Sequence, residues 1–124
     1  PYKVNYRDII WYEDMLETID EKNEKLIIVM LKSKYYNSHY TLKRICELFP
    51  EKPYFLDFLY KADLITPTMK MEFERKLKAG KIVIKNEETK IAIINKIDNF
   101  VKLYEQRKEL DNKENLNKPM TNPK

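Results

Sequence analysis

Cysteine, histidine and glycine are almost missing from this 124-residue chain, which holds one of each: Cys46, His39 and Gly80. A single cysteine excludes an internal disulfide framework and fits a reducing compartment. A single histidine limits any metal site to one imidazole ligand. A single glycine excludes glycine-rich phosphate loops and disfavours a turn-dense β-sandwich. Long apolar runs are missing too: the longest, Leu26 to Leu31, is six residues, against the ~20 of a membrane span. The stretch from Pro1 to Asp8 is polar and lacks the apolar segment of a secretory leader. What is present is 43% hydrophobic and 35% charged, enough for one core under a solvated surface. The expectation is a small, soluble, cytoplasmic, mainly α domain with no cofactor, no metal, no membrane association and no small-molecule substrate.

Net charge is +4, from 24 Lys and Arg against 20 Asp and Glu, and it is unevenly spread. Residues 1–20 set Lys3 and Arg7 against Asp8, Glu13, Asp14, Glu17 and Asp20. Residues 61–85 set Lys61, Lys70, Arg75, Lys76, Lys78, Lys81 and Lys85 against Asp63, Glu72 and Glu74. A basic stretch beside an acidic one outlines a polyanion-binding face. A coding bias toward lysine and asparagine is the plainer account of the same numbers.

Periodicity predicts mostly helices. Tyr6, Ile9, Ile10, Leu16 and Ile19 recur at helical spacing over 5–20, with Asn5 or Asp8 as the cap. Glu21 to Asn37 is expected to be a second helix, its β-branched centre outweighed by Glu- and Lys-rich flanks. Ser38 to Tyr40 interrupts, leaving His39 in a loop. Thr41 then caps a short helix, Leu42 to Phe49, that Pro50 ends. Pro53 suits the first position of the next helix, running to about Asp63. Thr66-Pro67 repeats that start, and Gly80 stands where a left-handed cap is expected. Lys81 to Lys85 alternates with period two and is expected to be a short strand or wing. Asn86, Glu87 and Glu88 open a long last helix to about Leu110. Ile94, Ile97, Val101, Tyr104 and Lys108 alternate by three and four, widened by Ile93 and Phe100, and this stripe suits packing on the domain and also a partner helix, with Ile93, Ile97, Phe100 and Tyr104 as the homodimer contact. Residues 1–110 are thus expected to form one domain, and 111–124 a disordered polar tail.

From Thr41 to about Leu64 the pattern fits a helix-turn-helix. Ile45 and Cys46 supply an apolar and a small residue side by side for a close crossing, Phe49 is apolar before the turn, and Leu56 and Leu59 point inward in the second helix. Through Tyr40-Thr-Leu-Lys-Arg-Ile-Cys-Glu-Leu-Phe49 and Phe55-Leu-Asp-Phe-Leu59 the chain resembles helix-turn-helix proteins of phages and mobile elements, small-terminase proteins among them. Gly80-Lys-Ile-Val-Ile-Lys-Asn-Glu-Glu88 is similar to the strand-then-helix of winged excisionase-type domains. The resemblance covers residues 40–88 and implies duplex DNA as partner, with Pro53 to Lys61 as recognition helix. Pro50 and Glu51 depart from it, since the turn usually takes a glycine and then an apolar residue. On that helix Tyr54, Asp57, Tyr60 and Lys61 would face the groove. Phosphate contacts would come from Lys43, Arg44, Lys52, Lys61, Lys70, Arg75, Lys76, Lys78, Lys81 and Lys85.

Catalytic chemistry finds little footing. Cys46 falls at an inward helix position where a buried thiol is inert, and neither serine, Ser33 or Ser38, sits in a nucleophile elbow. Adjacent acids such as Glu13-Asp14 and Glu87-Glu88 diverge on a helix. Tyr35 and Tyr36 suit packing better than a DNA-joining role. Two readings stand: a non-enzymatic DNA-binding accessory or regulatory protein of a phage, plasmid or other mobile element, or a helical protein-interaction module using the 5–19 and 87–110 helices.

Overall fold

The computed structural model describes the backbone of residues 6–117, and side chains at 7 and from 9 to 112. Asn5 and residues 118–124 lie outside the described residues, as do the side chains of Tyr6 and Asp8. The helices are α1 (Tyr6–Glu17), α2 (Glu24–Leu31), α3 (Ser38–Leu48), α4 (Tyr54–Lys61), α5 (Pro67–Lys78) and α6 (Glu87–Asn117), with a 3-10 turn at Glu21–Asn23 before α2. The chain is mainly α, and none of the described helices is long and apolar enough to cross a membrane.

The expected 21–37 helix is cut at both ends by polar side chains that compete for backbone groups. Asp20 and Asn23 form a reciprocal capping box, each side chain bonding backbone near the other. At the far end Ser33 Oγ donates to the Met30 carbonyl at 2.6 Å, and the chain turns. Asn37, not Thr41, then caps α3, accepting from the Tyr40 N–H at 3.0 Å. His39 therefore lies in the first turn of α3 and not in a loop. Thr41 is buried one turn further on, its hydroxyl 2.6 Å from both the Asn37 carbonyl and the Tyr12 hydroxyl. That contact ties α3 to α1, and burial raises the Tyr12 phenol pKa above its ordinary value, with the Thr41 hydrogen bond opposing.

α4 is the central helix, packed by α2, α3 and α6. Phe55, Leu56, Phe58 and Leu59 are all buried, so half of its eight residues belong to the core. Thr66 caps α5 as expected, accepting from the Met69 N–H, with Pro67 at the start and Met69 and Phe73 buried. Gly80 has φ +73°, and the Lys81 N–H closes the helix end on the Lys76 carbonyl at 2.9 Å.

The expected strand at 81–85 does not form. Ile82 is buried and Val83 and Lys85 are exposed, so the alternation of burial is real. However, no second strand exists among the described residues to pair with it, and an isolated strand leaves its backbone groups unmatched. The segment is an extended linker anchored by Ile82. Asn86 caps α6 through the Thr89 N–H, as expected, but the helix continues past Leu110 to Asn117.

The stripe on α6 assigned to a partner faces inward. Ile93 and Ile97 are buried at 0% and 1% exposure, because α6 packs on α4 and α5. Phe100 stacks on Tyr60 of α4 at 4.7 Å, and Tyr104 is half-buried beside Arg107. Ile93, Ile97 and Phe100 are thus engaged within the chain, whereas Tyr104 meets Arg107 and Lys108 of its own helix.

Candidate nucleic-acid interface

The residues expected to enter a DNA groove are held by the protein itself. Asp57 pairs with Lys96 of α6 at 3.5 Å, and Tyr60 lies between Phe100 and the Arg107 guanidinium. Lys61 pairs with Glu24 at the start of α2. Tyr54 packs on Phe58 of its own helix at 5.4 Å. Groups of α6 and α2 thus engage the outward side of α4, although the Asp57 and Lys61 side chains keep 44% and 56% exposure.

The ten cations expected at phosphates divide in two. Arg44 pairs with Glu47 at 2.8 Å and Glu17 at 3.5 Å, beside a cleft of about 130 Å³ between α1 and α3. Lys52 donates to the Ile19 carbonyl at 2.6 Å. Lys70 pairs with Asp98 at 2.9 Å, and that hydrogen bond and charge hold its ammonium protonated above the ordinary range. Lys61 and Lys76 are likewise paired. In contrast, Lys43, Arg75, Lys78, Lys81 and Lys85 are exposed, and none is within ion-pair distance of a described carboxylate.

Three segments bring basic groups together around His39. Ser38 Oγ donates to Glu72 of α5 at 2.8 Å, and Glu72 pairs with Lys76 at 3.4 Å. Lys76 in turn lies 3.0 Å from His39 Nδ1. An ammonium can only donate, so Nδ1 accepts and the neutral imidazole carries its proton on Nε2. Lys43 follows one turn along α3, and the Lys81 backbone is bonded to that of Lys76. Burial, then Lys76, Lys43 and Lys81, push the His39 pKa below its ordinary 6.5, with Glu72 opposing. Three lysines from α3, α5 and the linker therefore act on one imidazole. Sequence reasoning missed this hub. Asn37 at capping distance from Tyr40 was the signal that would have placed His39 on α3.

Because His39 is held neutral, it stabilises the fold fully above pH 6.5, and this contribution is lost as pH falls through the depressed pKa. Thermal unfolding from pH 7 to pH 5 should show a steeper loss for the wild type than for His39→Gln, which accepts from Lys76 without titrating. Parallel curves would remove the role of the imidazole.

Cys46 and His39 do not form a catalytic pair. The thiol is pushed up to about 12 by burial and the Glu47 charge, and His39 is bonded to Lys76 two turns away. Tyr35 meets Trp11 edge-on at 5.1 Å and Tyr36 meets Tyr12 at 6.4 Å. Among the described residues no group of His, Cys, Asp and Glu is placed to hold a metal ion. Comparison with protein-family models, curated proteins and solved structures finds no match to this chain.

Proposed function

We propose that this chain binds duplex DNA non-enzymatically, gripping the phosphate backbone with the basic face formed by α3, the end of α5 and the linker to α6. The observation that carries the reading is the grouping of Lys43, Lys76 and Lys81 at His39, with Lys43 and Lys81 exposed and unpaired, and with Arg75, Lys78 and Lys85, also exposed and unpaired, on the same or adjoining segments. Exposed lysines and arginines that hold no carboxylate are what counterion release requires. The helix-turn-helix resemblance over residues 40–59 also implies duplex DNA, though through α4, and suggests an accessory or regulatory role, in the cytoplasm, for a phage, plasmid or related mobile element. With Asp57, Tyr60 and Lys61 of α4 engaged by α6 and α2, the proposed contacts fall on phosphates, which position a duplex without reading its bases. Little sequence preference is expected.

Anisotropy of a labelled random duplex of about 30 base pairs, titrated at 50 and 200 mM salt, tests this. If all five free cations meet phosphates, affinity should fall roughly 500-fold between those salts. A folded protein that binds nothing at the lower salt would overturn the reading. The alternative, a protein-interaction module, is favoured by a separate observation: Leu103 and Leu110 of α6 are exposed at 47% and 60%.

A further inference from the structure

We propose that the distal half of α6 is a self-association surface whose occupant is a second copy of this chain, packed antiparallel against it. Val101, 6% exposed, is the last buried residue of α6 among those whose side chains are described, and none from 102 to 112 is buried. The helix nevertheless continues to Asn117, about 24 Å further at 1.5 Å per residue. Its base is fixed in direction by Arg107, which bonds Asp63 and lies over the rings of Tyr60 and Tyr104.

On the side away from the Ile93–Ile97–Val101 stripe stand Leu103 and Leu110, 47% and 60% exposed. They lie a heptad apart, and with Asn99 one turn before Leu103 and Gln106 between the two leucines they make the four-three-four spacing of a pairing seam. Lys102 and Glu109 are also a heptad apart, both exposed, and neither is paired with a described residue. They flank one edge of the leucine stripe.

This edge is complementary to itself in one orientation only. With antiparallel helices and a two-fold point near Gln106, each Leu103 lies beside Leu110 of the second copy. Each Lys102 then meets Glu109 of the second copy, twice over. In a parallel pair Lys102 would instead approach Arg107 of the second copy, like charge against like. A foreign helix has no reason to match a pattern that matches its own reverse. The polar Asn99 and Gln106 keep the seam short, so the association is weak and depends on concentration.

Sedimentation equilibrium of the full chain should show the mass rising from 15.1 kDa toward twice that value as concentration increases. Leu103→Gln with Leu110→Gln should stay at monomer mass at every concentration. Both sites are exposed, and circular dichroism before and during heating confirms that this variant folds. Lys102→Glu alone, or Glu109→Lys alone, should weaken association about tenfold. An equimolar mixture of those two variants should recover it, because each new Glu then faces a new Lys. A wild-type chain that stays monomeric throughout overturns the proposal. So does a dimer indifferent to the leucine changes, or a mixture that fails to recover.

Discussion

Reversing Arg75, Lys78 and Lys81 together to glutamate is expected to weaken duplex binding by on the order of 100-fold or more at low salt, without unfolding the protein. All three side chains are exposed and none holds a described carboxylate, and surface changes of this kind usually cost within about 0.5 kcal/mol each. The effect on affinity is large because each change removes a phosphate contact and adds a repulsion. The residual affinity should also depend less steeply on salt, since fewer counterions are released. Lys61→Glu is the matched comparison. A recognition helix in the groove would make Lys61 a contact and its reversal severe, whereas the structure pairs it with Glu24. On the present reading the Lys61 change leaves affinity within about twofold. Anisotropy on both variants at one salt separates the two geometries. Equal losses from the two would return α4 to the interface and remove the α3–α5 face.

Local signals in the sequence were legible wherever one residue decides a local geometry. Thr66 with Pro67, Gly80 and Asn86 each mark a helix end because their own backbone preferences or side-chain oxygens satisfy groups that the helix leaves open. The helical class followed from apolar spacing, and so did the grouping of Ile93, Ile97 and Val101 on one α6 stripe, although Ile94 and Tyr104 of the expected stripe are only half-buried. What that stripe meets did not follow, because periodicity shows that a face is apolar and not which surface covers it. Ile93 and Ile97 could serve a partner or a core equally well until α4 and α5 are seen against them. The same limit explains the basic residues. Lys61 and Lys78 look alike in the chain, yet one is matched by Glu24, 37 positions away, and the other is not. The linker at 81–85 failed for a related reason: a strand needs a neighbour, and alternation alone does not supply one.

Ile97→Ala is expected to cost about 2–5 kcal/mol of folding stability, a fall in Tm of roughly 10–20 °C for a domain of this size. Ile97 is 1% exposed, and with Ile93 and Val101 it forms the seam on which α6 meets α4 and α5. Truncation removes methyl groups from a site walled on the opposite side by α4, itself buried on both flanks, so the cavity has little room to close. Such a loss consumes much of the roughly 5–15 kcal/mol that holds a small domain together. It also discriminates between the two roles an apolar stripe can have. If Ile97 packs within one chain, the unfolding midpoint of the variant is the same at all protein concentrations. If it served a partner, the loss would shrink on dilution, as the contact itself dissociates. Leu103→Ala, on the uncovered face of the same helix, should shift stability by no more than about 0.5 kcal/mol in the dilute monomer. A small effect from Ile97→Ala, or one that varies with concentration, would mean that α6 is held to the domain by something other than this stripe.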